Sequence, residues 1–343
     1  MNEKIRIGIV GAGTNTKEKH IPGFQAIDGI EIVSVCNSTV ESSTKAANQF
    51  DIPKVYENWL DLVRASDSDA ILIGTWPHLH HPVTLAALAA NKHVMCEARM
   101  ARNVIEARQM LQAATEKPHL VAQIVPAPFT FQIDKTVKRL ISEGFLGDIL
   151  AVEIQEKRGF LEKDRALTWR QNFDLSGFNI MGLGIWYETL MRWIGPATRV
   201  AAMGKTFSKM RPDPSTGEMQ AVRIPEHLDV IADMACGAQT HFGLSQVSGF
   251  GDSFEITLFG SQGTLQFKDK KLVGGQIGDR NMIEIKIPSE EVGKWRVEEE
   301  FINAILGREK ICCTTFDEGV KYMEFTEAVT RSIQEARSIT LPL

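Results

Sequence analysis

The sequence predicts an α/β domain built on a parallel sheet over residues 1–125, followed by an α+β domain with an open, mainly antiparallel sheet over residues 126–343. Three observations predict it. Short apolar runs alternate with helical patterns through the first third, which implies a parallel sheet covered on both faces. A Gly11-Ala12-Gly13 turn follows the first of those runs. Past residue 125 the rhythm changes to strand-like segments in hairpin succession around turns such as Gly260-Ser261-Gln262-Gly263.

In order, residues 5–10, 30–36, 70–74, 93–96 and 121–125 read as strands, each a mostly apolar run. Helical patterns lie between and after them at 22–27, 40–50, 59–65, 82–90 and 104–115. Pro126-Ala127-Pro128 interrupts this alternation, and a helix follows over 134–142. Strands are then expected at 149–155, 199–207, 228–235, 239–247, 254–259, 264–267 and 282–287, with one helix at 180–194 among them. Helices over 295–306 and 316–338 close the chain and are free to pack back on the first domain.

The 343 residues are 43% hydrophobic and 24% charged, a globular composition long enough to bury a core without disulfide or metal staples. Thirty-eight Lys and Arg against 43 Asp and Glu give a net charge of -5, which disfavours a nucleic-acid partner. Cys36, Cys96, Cys236, Cys312 and Cys313 are odd in number and contain no Cys-x-x-Cys. They support neither a disulfide framework nor a zinc site, so no metal is expected. Met1-Asn2-Glu3-Lys4 runs into a strand containing Arg6, too short and too charged for a signal peptide, and no apolar stretch is long enough for a bilayer. The expectation is a cytoplasmic protein without a membrane partner.

Gly11-Ala12-Gly13-Thr14-Asn15-Thr16 is the G-x-G-x-x-G frame with Thr16 in the last place. The first glycine permits a tight turn, the second lets the backbone approach a pyrophosphate, and the following helix offers unpaired N–H groups. At the end of a first strand and the start of a helix, this reads as a Rossmann dinucleotide site. The ribose reader belongs at the end of the second strand, where Asn37-Ser38-Thr39 stands. Asn37 can bond a ribose hydroxyl without repelling a 2′-phosphate, so the cofactor is NAD or NADP; the absence of an arginine beside it favours NAD.

Further motifs follow: His20-Ile21-Pro22, Thr75-Trp76-Pro77-His78-Leu79-His80, Lys92-His93-Val94-Met95-Cys96-Glu97, Gly144-x-x-Gly147, Trp169-Arg170, Ser176-Gly177 and Gly260-Ser261-x-Gly263-Thr264. With Gly11-x-Gly13 these resemble the glucose–fructose oxidoreductase / inositol dehydrogenase (Gfo/Idh/MocA) family over essentially the whole chain. The resemblance implies a Rossmann domain, a second domain with an open antiparallel sheet, and a nicotinamide cofactor. Thr75, Trp76, His78, His80 and Glu97 then join Gly11, Gly13, Thr14, Asn15, Thr16, Asn37 and Ser38 as cofactor-site residues. It further implies a carbohydrate substrate and a homodimer or homotetramer built through the C-terminal sheet.

The chain departs from the family where the chemistry lies. The family's Glu-Lys-Pro is Glu97-Ala98-Arg99 here, and its Asp and His, four apart on a helix, fall on Gly182 and Trp186. Hydride transfer from an alcohol needs a group to take the hydroxyl proton, and Ala, Gly and Trp cannot. Candidates for the missing chemistry are Tyr187 on the same helix, the period-2 pair His227 and Asp229, and Arg99 as a polarising cation. Trp169, Arg170, Arg158, Trp186 and Glu188 are candidate substrate contacts, and Arg99, Arg158 and Arg170 would clamp an anionic group if the carbohydrate carries one. For each of these residues ordinary packing or solvated surface is the competing reading.

Three functions fit the sequence. The first is an NAD(P)-dependent oxidoreductase acting at a secondary alcohol of a sugar or sugar derivative. The second is an NAD-dependent glycosidase or lyase that retains its cofactor through transient oxidation, elimination and re-reduction. The third is a non-catalytic nucleotide- or sugar-binding protein.

Overall fold

A computed structural model describes residues 4–343. Residues 1–3, on which the signal-peptide reading partly rested, lie outside the described residues. The chain divides into two units: residues up to Pro126 with Arg296–Met323, and Ala127–Trp295 with Glu324–Leu343.

The first unit holds a six-stranded sheet in the order Lys54–Val55, Ile30–Cys36, Ile5–Val10, Ala70–Ile73, His93–Cys96, Ala122–Ile124, parallel throughout. Strand order reverses between Ile5–Val10 and Ala70–Ile73. In a sheet of this kind the crevice beyond the carboxyl ends of those two strands is where ligands bind. Burial of Ala70–Ile73 on both faces explains its unbroken apolar run. Thr39, Asn58 and Asn103 cap the helices Val40–Phe50, Trp59–Arg64 and Val104–Thr115 through side-chain acceptors.

Two differences from the sequence reading matter here. The short edge strand Lys54–Val55 was missed because two residues carry no period. The helix expected from residue 82 spans Pro77–Ala89, with Pro77 in its first turn and Pro82 inside it. A proline pre-set for the first turn opens the helix. The apolar run after Pro82 continues it across the missing N–H.

The second unit is built on a nine-stranded sheet. Eight of its strands follow the order Ile283–Glu284, Lys271–Gln276, Gly263–Lys268, Ser253–Gly260, Ile149–Lys157, Gln239–Ser245, His227–Met234, Ala197–Lys205, with Ile339–Thr340 at the far edge. All its pairings are antiparallel except Ile149–Lys157 with Gln239–Ser245. One face is covered: Leu228, Val230, Leu244, Val152, Ile154, Ile256 and Leu265 are buried on it. The other carries His227, Asp229 and Ile231 in the open. The helix Leu183–Ile194 starts three residues later than expected, with Gly182 as its N-cap.

Candidate functional site

In the first unit two crossing turns meet without side chains between them. Gly11, at φ 91°, bonds from its N–H to Cys36 O at 2.8 Å, and Gly74 bonds to Val10 O at 2.8 Å. A Cβ on Gly11 would stand 2.7 Å from Thr75 Cγ2, and one on Gly74 would stand 2.1 Å from Thr16 Oγ1. Gly13 is different: a Cβ there would meet only Gly74 O, at 3.4 Å. Its backbone lies open along a cavity of about 550 Å³ that also reaches Gly11, Asn37, Ser38, Thr75, Trp76 and His78. The sequence singled out all seven. It missed Lys17, Glu57, Asn58 and Trp59, which line the same cavity but carry no motif. Trp76 is 45% exposed, with the His78 ring 6.2 Å away.

Three of the sequence-chosen residues brace this cavity rather than line it. Thr16 is buried and its hydroxyl donates to Gly11 O at 3.2 Å. His80 is buried with Nδ1 2.9 Å from Arg99 O and Nε2 2.9 Å from Thr75 O, and burial pushes its pKa down. Its ring therefore ties the Thr75 loop to the Glu97-Ala98-Arg99 segment. Asn15 donates to the Glu97 carboxylate. Thr14 is exposed at the start of the same helical turn. Asn37, although in the cavity wall, spends much of its amide on the glycine turn. Its Oδ1 accepts from Ala12 N–H at 2.6 Å and its Nδ2 donates to Ser42 O at 3.0 Å.

Behind the glycine turn lies a buried charge cluster that the sequence reading did not foresee. His20 Nε2 is 3.0 Å from Glu97 Oε1, and His20 Nδ1 is 2.6 Å from Glu298 Oε1. Burial opposes a charge on His20, but hydrogen bonds with Glu298 and Glu97 outweigh it and raise its pKa to about 9. Burial likewise works against the Glu97 carboxylate, yet His20 and Asn15 hold its pKa below the ordinary value. Glu298 comes from the returning helix Val297–Ile305, whose Phe301 packs edge-on against Phe24. Arg99 is also buried, which corrects the alternative of an exposed helix-entry arginine.

In the second unit the candidate chemistry gathers at one end of Ile149–Lys157. Trp186 Nε1–H donates to Glu156 Oε2 at 2.9 Å, and Arg158 Nη2 lies 3.1 Å from Glu156 Oε1. The Trp186 ring packs against Phe254 and Phe129, at 4.5 and 5.7 Å between centroids. Trp186 itself is fully buried, so it backs this group and does not present a face to substrate. The Arg170 guanidinium lies 4.1 Å over the Trp169 ring. That loop is anchored by the buried Arg211, which donates to Glu162 O and Arg165 O and pairs with Glu226 at 2.8 Å.

Four sequence candidates are corrected. Tyr187 is buried and stacked on Phe325, 3.7 Å between centroids, and its oxygen accepts from Ala197 N–H at 2.8 Å. Burial pushes its pKa up, so it packs as a core aromatic and is no proton carrier. Glu188 is buried between Arg192, at 2.9 Å, and Ala127 N–H, at 3.0 Å, which makes it a brace rather than a substrate contact. His227 and Asp229 do meet, at 3.2 Å, and His241 joins Asp229 at 3.1 Å. However, Leu228, Leu244 and Glu156 stand abreast on the covered face, so His227 and Asp229 project from the opposite one. They cannot serve the Glu156–Trp186 group.

A parallel sheet with a glycine-walled cavity at its switch point defines a dinucleotide-binding Rossmann protein. The profile described as oxidoreductase family, NAD-binding Rossmann fold, matches residues 5–124, and the GFO/IDH/MocA C-terminal domain profile matches residues 135–266. The chain belongs to the Gfo/Idh/MocA family. It is 27% identical over 187 residues to trans-1,2-dihydrobenzene-1,2-diol dehydrogenase from Bos taurus, covering 53% of each chain. Over 111 residues it is 37% identical to 1,5-anhydro-D-fructose reductase from Ensifer adhaerens, covering 32% of this chain and 33% of that one. The matched stretch thus spans about half of the first relative and a third of the second. Among solved structures, levoglucosan dehydrogenase in complex with NADH and L-sorbose shares the fold at a TM-score of 0.85 and 19% identity, over 99% of both chains. Among the described residues no helix is long and apolar enough to cross a membrane.

Proposed function

We propose that this protein is a nicotinamide-dependent oxidoreductase that acts at a secondary alcohol of a sugar or sugar derivative. The observation that carries the reading is the open backbone at Gly13, in a cavity also lined by Asn37, Ser38, Thr75, Trp76 and His78. A pyrophosphate needs that approach, and the absence of a Cβ there leaves it free. The residues fit a dinucleotide. Gly13 and Thr75 would face its phosphates, Lys17 would offset their charge, and Ser38 would meet a ribose hydroxyl, while Trp76 would cover the ring system. The bound cofactor supplies a hydride acceptor or donor. Asn15, His20 and Glu97 hydrogen-bond one another behind the glycine turn.

NAD is favoured over NADP: among the described residues the cavity wall carries Lys17 but no arginine, and Glu57 adds a negative charge. Arg158 and Arg170 would bind an anionic group if the sugar carries one. Met203 and Ile231 stay exposed on the open sheet face, which supports homo-oligomerisation through that face.

Calorimetric titration with NAD+ and NADP+ tests the cofactor. Absorbance of reduced nicotinamide during incubation with levoglucosan, L-sorbose, inositol and 1,5-anhydro-D-fructose tests the reaction. Net conversion of free cofactor supports the oxidoreductase. Dinucleotide binding without conversion, together with cleavage of glycosides, would move the assignment to a redox-neutral glycosidase.

A further inference from the structure

In a dinucleotide site of this kind the ribose is read by an acidic residue at the end of the second strand. Asn37 stands there, and both ends of its amide are engaged within the protein. Its Oδ1 accepts from Ala12 N–H at 2.6 Å, and its Nδ2 donates to Ser42 O at 3.0 Å. Two neighbours in the cavity wall are engaged as well. Ser42 Oγ donates to Thr39 O at 3.0 Å and accepts from Thr39 Oγ1 at 3.0 Å. Asn58 Oδ1 accepts from Leu60 N–H at 2.7 Å as a helix cap.

Glu57 is placed differently. The edge strand Lys54–Val55 runs parallel to Ile30–Cys36, with Ser34 beside Lys54 and Val35 beside Val55. Tyr56 N–H extends the pairing to Val35 O at 3.0 Å. Asn37 lies two residues past Val35, and Glu57 two past Val55. The two residues therefore leave neighbouring strands at the same level, and both line the cavity. Among the described residues none engages the Glu57 carboxylate, which is exposed. Lys54, three residues before it, is paired with Asp67 at 2.9 Å, and Tyr56 donates to the same carboxylate at 2.6 Å. Lys17 follows the glycine turn directly, its N–H bonded to Gly13 O at 3.0 Å. The second-strand end of the cavity thus carries an acceptor-only group that no protein donor satisfies.

We propose that Glu57 reads the adenosine ribose and sets the preference for NAD over NADP. This rests on the dinucleotide reading above. The carboxylate offers two oxygens, which can accept from the two adjacent hydroxyls of an unmodified ribose. Replacing one hydroxyl by a phosphate removes a donor and sets a second anion against the carboxylate. The discriminating charge is then carried one strand further out than usual. The residue at the end of the second strand is left free to hold the glycine turn through Ala12 N–H.

Calorimetric titration of the wild type, Glu57→Gln and Glu57→Arg with NAD+ and NADP+ tests it, with thermal melts alongside. The wild type should bind NAD+ at least about tenfold more tightly than NADP+. Glu57→Gln keeps the length of the side chain but removes the charge. It should weaken NAD+ by roughly tenfold, the value of a hydrogen bond to a charged group, and tighten NADP+. Glu57→Arg should reverse the preference, because a guanidinium pairs with a phosphate. All three proteins should melt alike, since the carboxylate has no partner in the protein to lose. A merely structural role would weaken both dinucleotides together and lower the melting temperature. That result overturns the proposal, as does a Glu57→Gln variant with the wild-type ratio of affinities or a wild type that prefers NADP+; each leaves the dinucleotide reading standing. A wild-type protein that binds neither dinucleotide overturns both.

Discussion

His20 Nδ1 lies 2.6 Å from Glu298 Oε1, a buried contact between residues 278 apart in sequence that joins the first helical segment to the returning helix. The same ring reaches Glu97 through Nε2. The folded protein holds the His20 proton to a pKa of about 9, against 6.5 ordinarily. The contribution of this group to stability is therefore fully present below about pH 6.5 and is lost as pH rises to about 9. It amounts to roughly 3 kcal/mol at most. His20→Gln removes the charge. The difference in urea midpoint between wild type and this variant should be largest near pH 6 and shrink steadily towards pH 9. A difference that stays constant across that range would rule out a titrating His20. Glu97, whose pKa is lowered, acts in the opposite sense and loses its contribution as the solution turns acid.

Gly11 and Gly13 should fail in different ways when substituted. Gly11→Ala puts a methyl 2.7 Å from Thr75 and forces alanine to φ 91°. It should destabilise the fold by about 1–3 kcal/mol, read as a lower denaturant midpoint. In Gly13→Val the Cβ itself meets only Gly74 O, at 3.4 Å, so this variant should melt closer to the wild type than Gly11→Ala does. Its side chain would occupy the space of the pyrophosphate, so calorimetric affinity for NAD+ should drop by roughly tenfold or more. If Gly13→Val binds NAD+ as tightly as the wild type, the dinucleotide does not lie where we place it.

Most elements of both sheets were legible because their side chains follow a simple period or run, and the glycine turn because its spacing carries a backbone requirement. The braces were not legible. Nothing in the sequence pairs His20 with Glu298, or Arg211 with Glu226, because contacts between distant residues leave no local pattern. Glu156 was passed over for the same reason. It reads as one more polar residue late in a strand, and only the helix carrying Trp186 gives it a hydrogen-bond partner. Conversely, period 2 placed His227 and Asp229 together correctly, yet could not say which face of the sheet they would share.

Asn37→Asp tests the ribose end. The carboxylate would keep the acceptor for Ala12 N–H but lose the donor to Ser42 O, leaving two oxygens opposed. Stability should fall by about 1 kcal/mol. Repulsion of a 2′-phosphate should raise the ratio of NAD+ to NADP+ affinity by roughly tenfold. Titration of the variant with both dinucleotides checks it; an unaltered ratio would place the 2′ position away from Asn37, on the side of Ser38.

The last prediction separates packing from chemistry. Tyr187→Phe retains the stack on Phe325 but strands the buried N–H of Ala197, which loses its acceptor at 2.8 Å. An unpartnered buried donor costs about 1–3 kcal/mol. The variant should therefore melt lower while its turnover at a permissive temperature stays within about twofold of the wild type, since no proton passes through this phenol. His227→Ala and Asp229→Asn sit on the open sheet face, where an exposed ion pair is worth about 1 kcal/mol or less. They should leave both melting temperature and kcat near wild type. Stopped-flow turnover and thermal melts on the three variants decide the matter. If any one of them loses turnover by 10²-fold or more without unfolding, proton transfer runs through that residue and the corrections to Tyr187, His227 and Asp229 are themselves wrong.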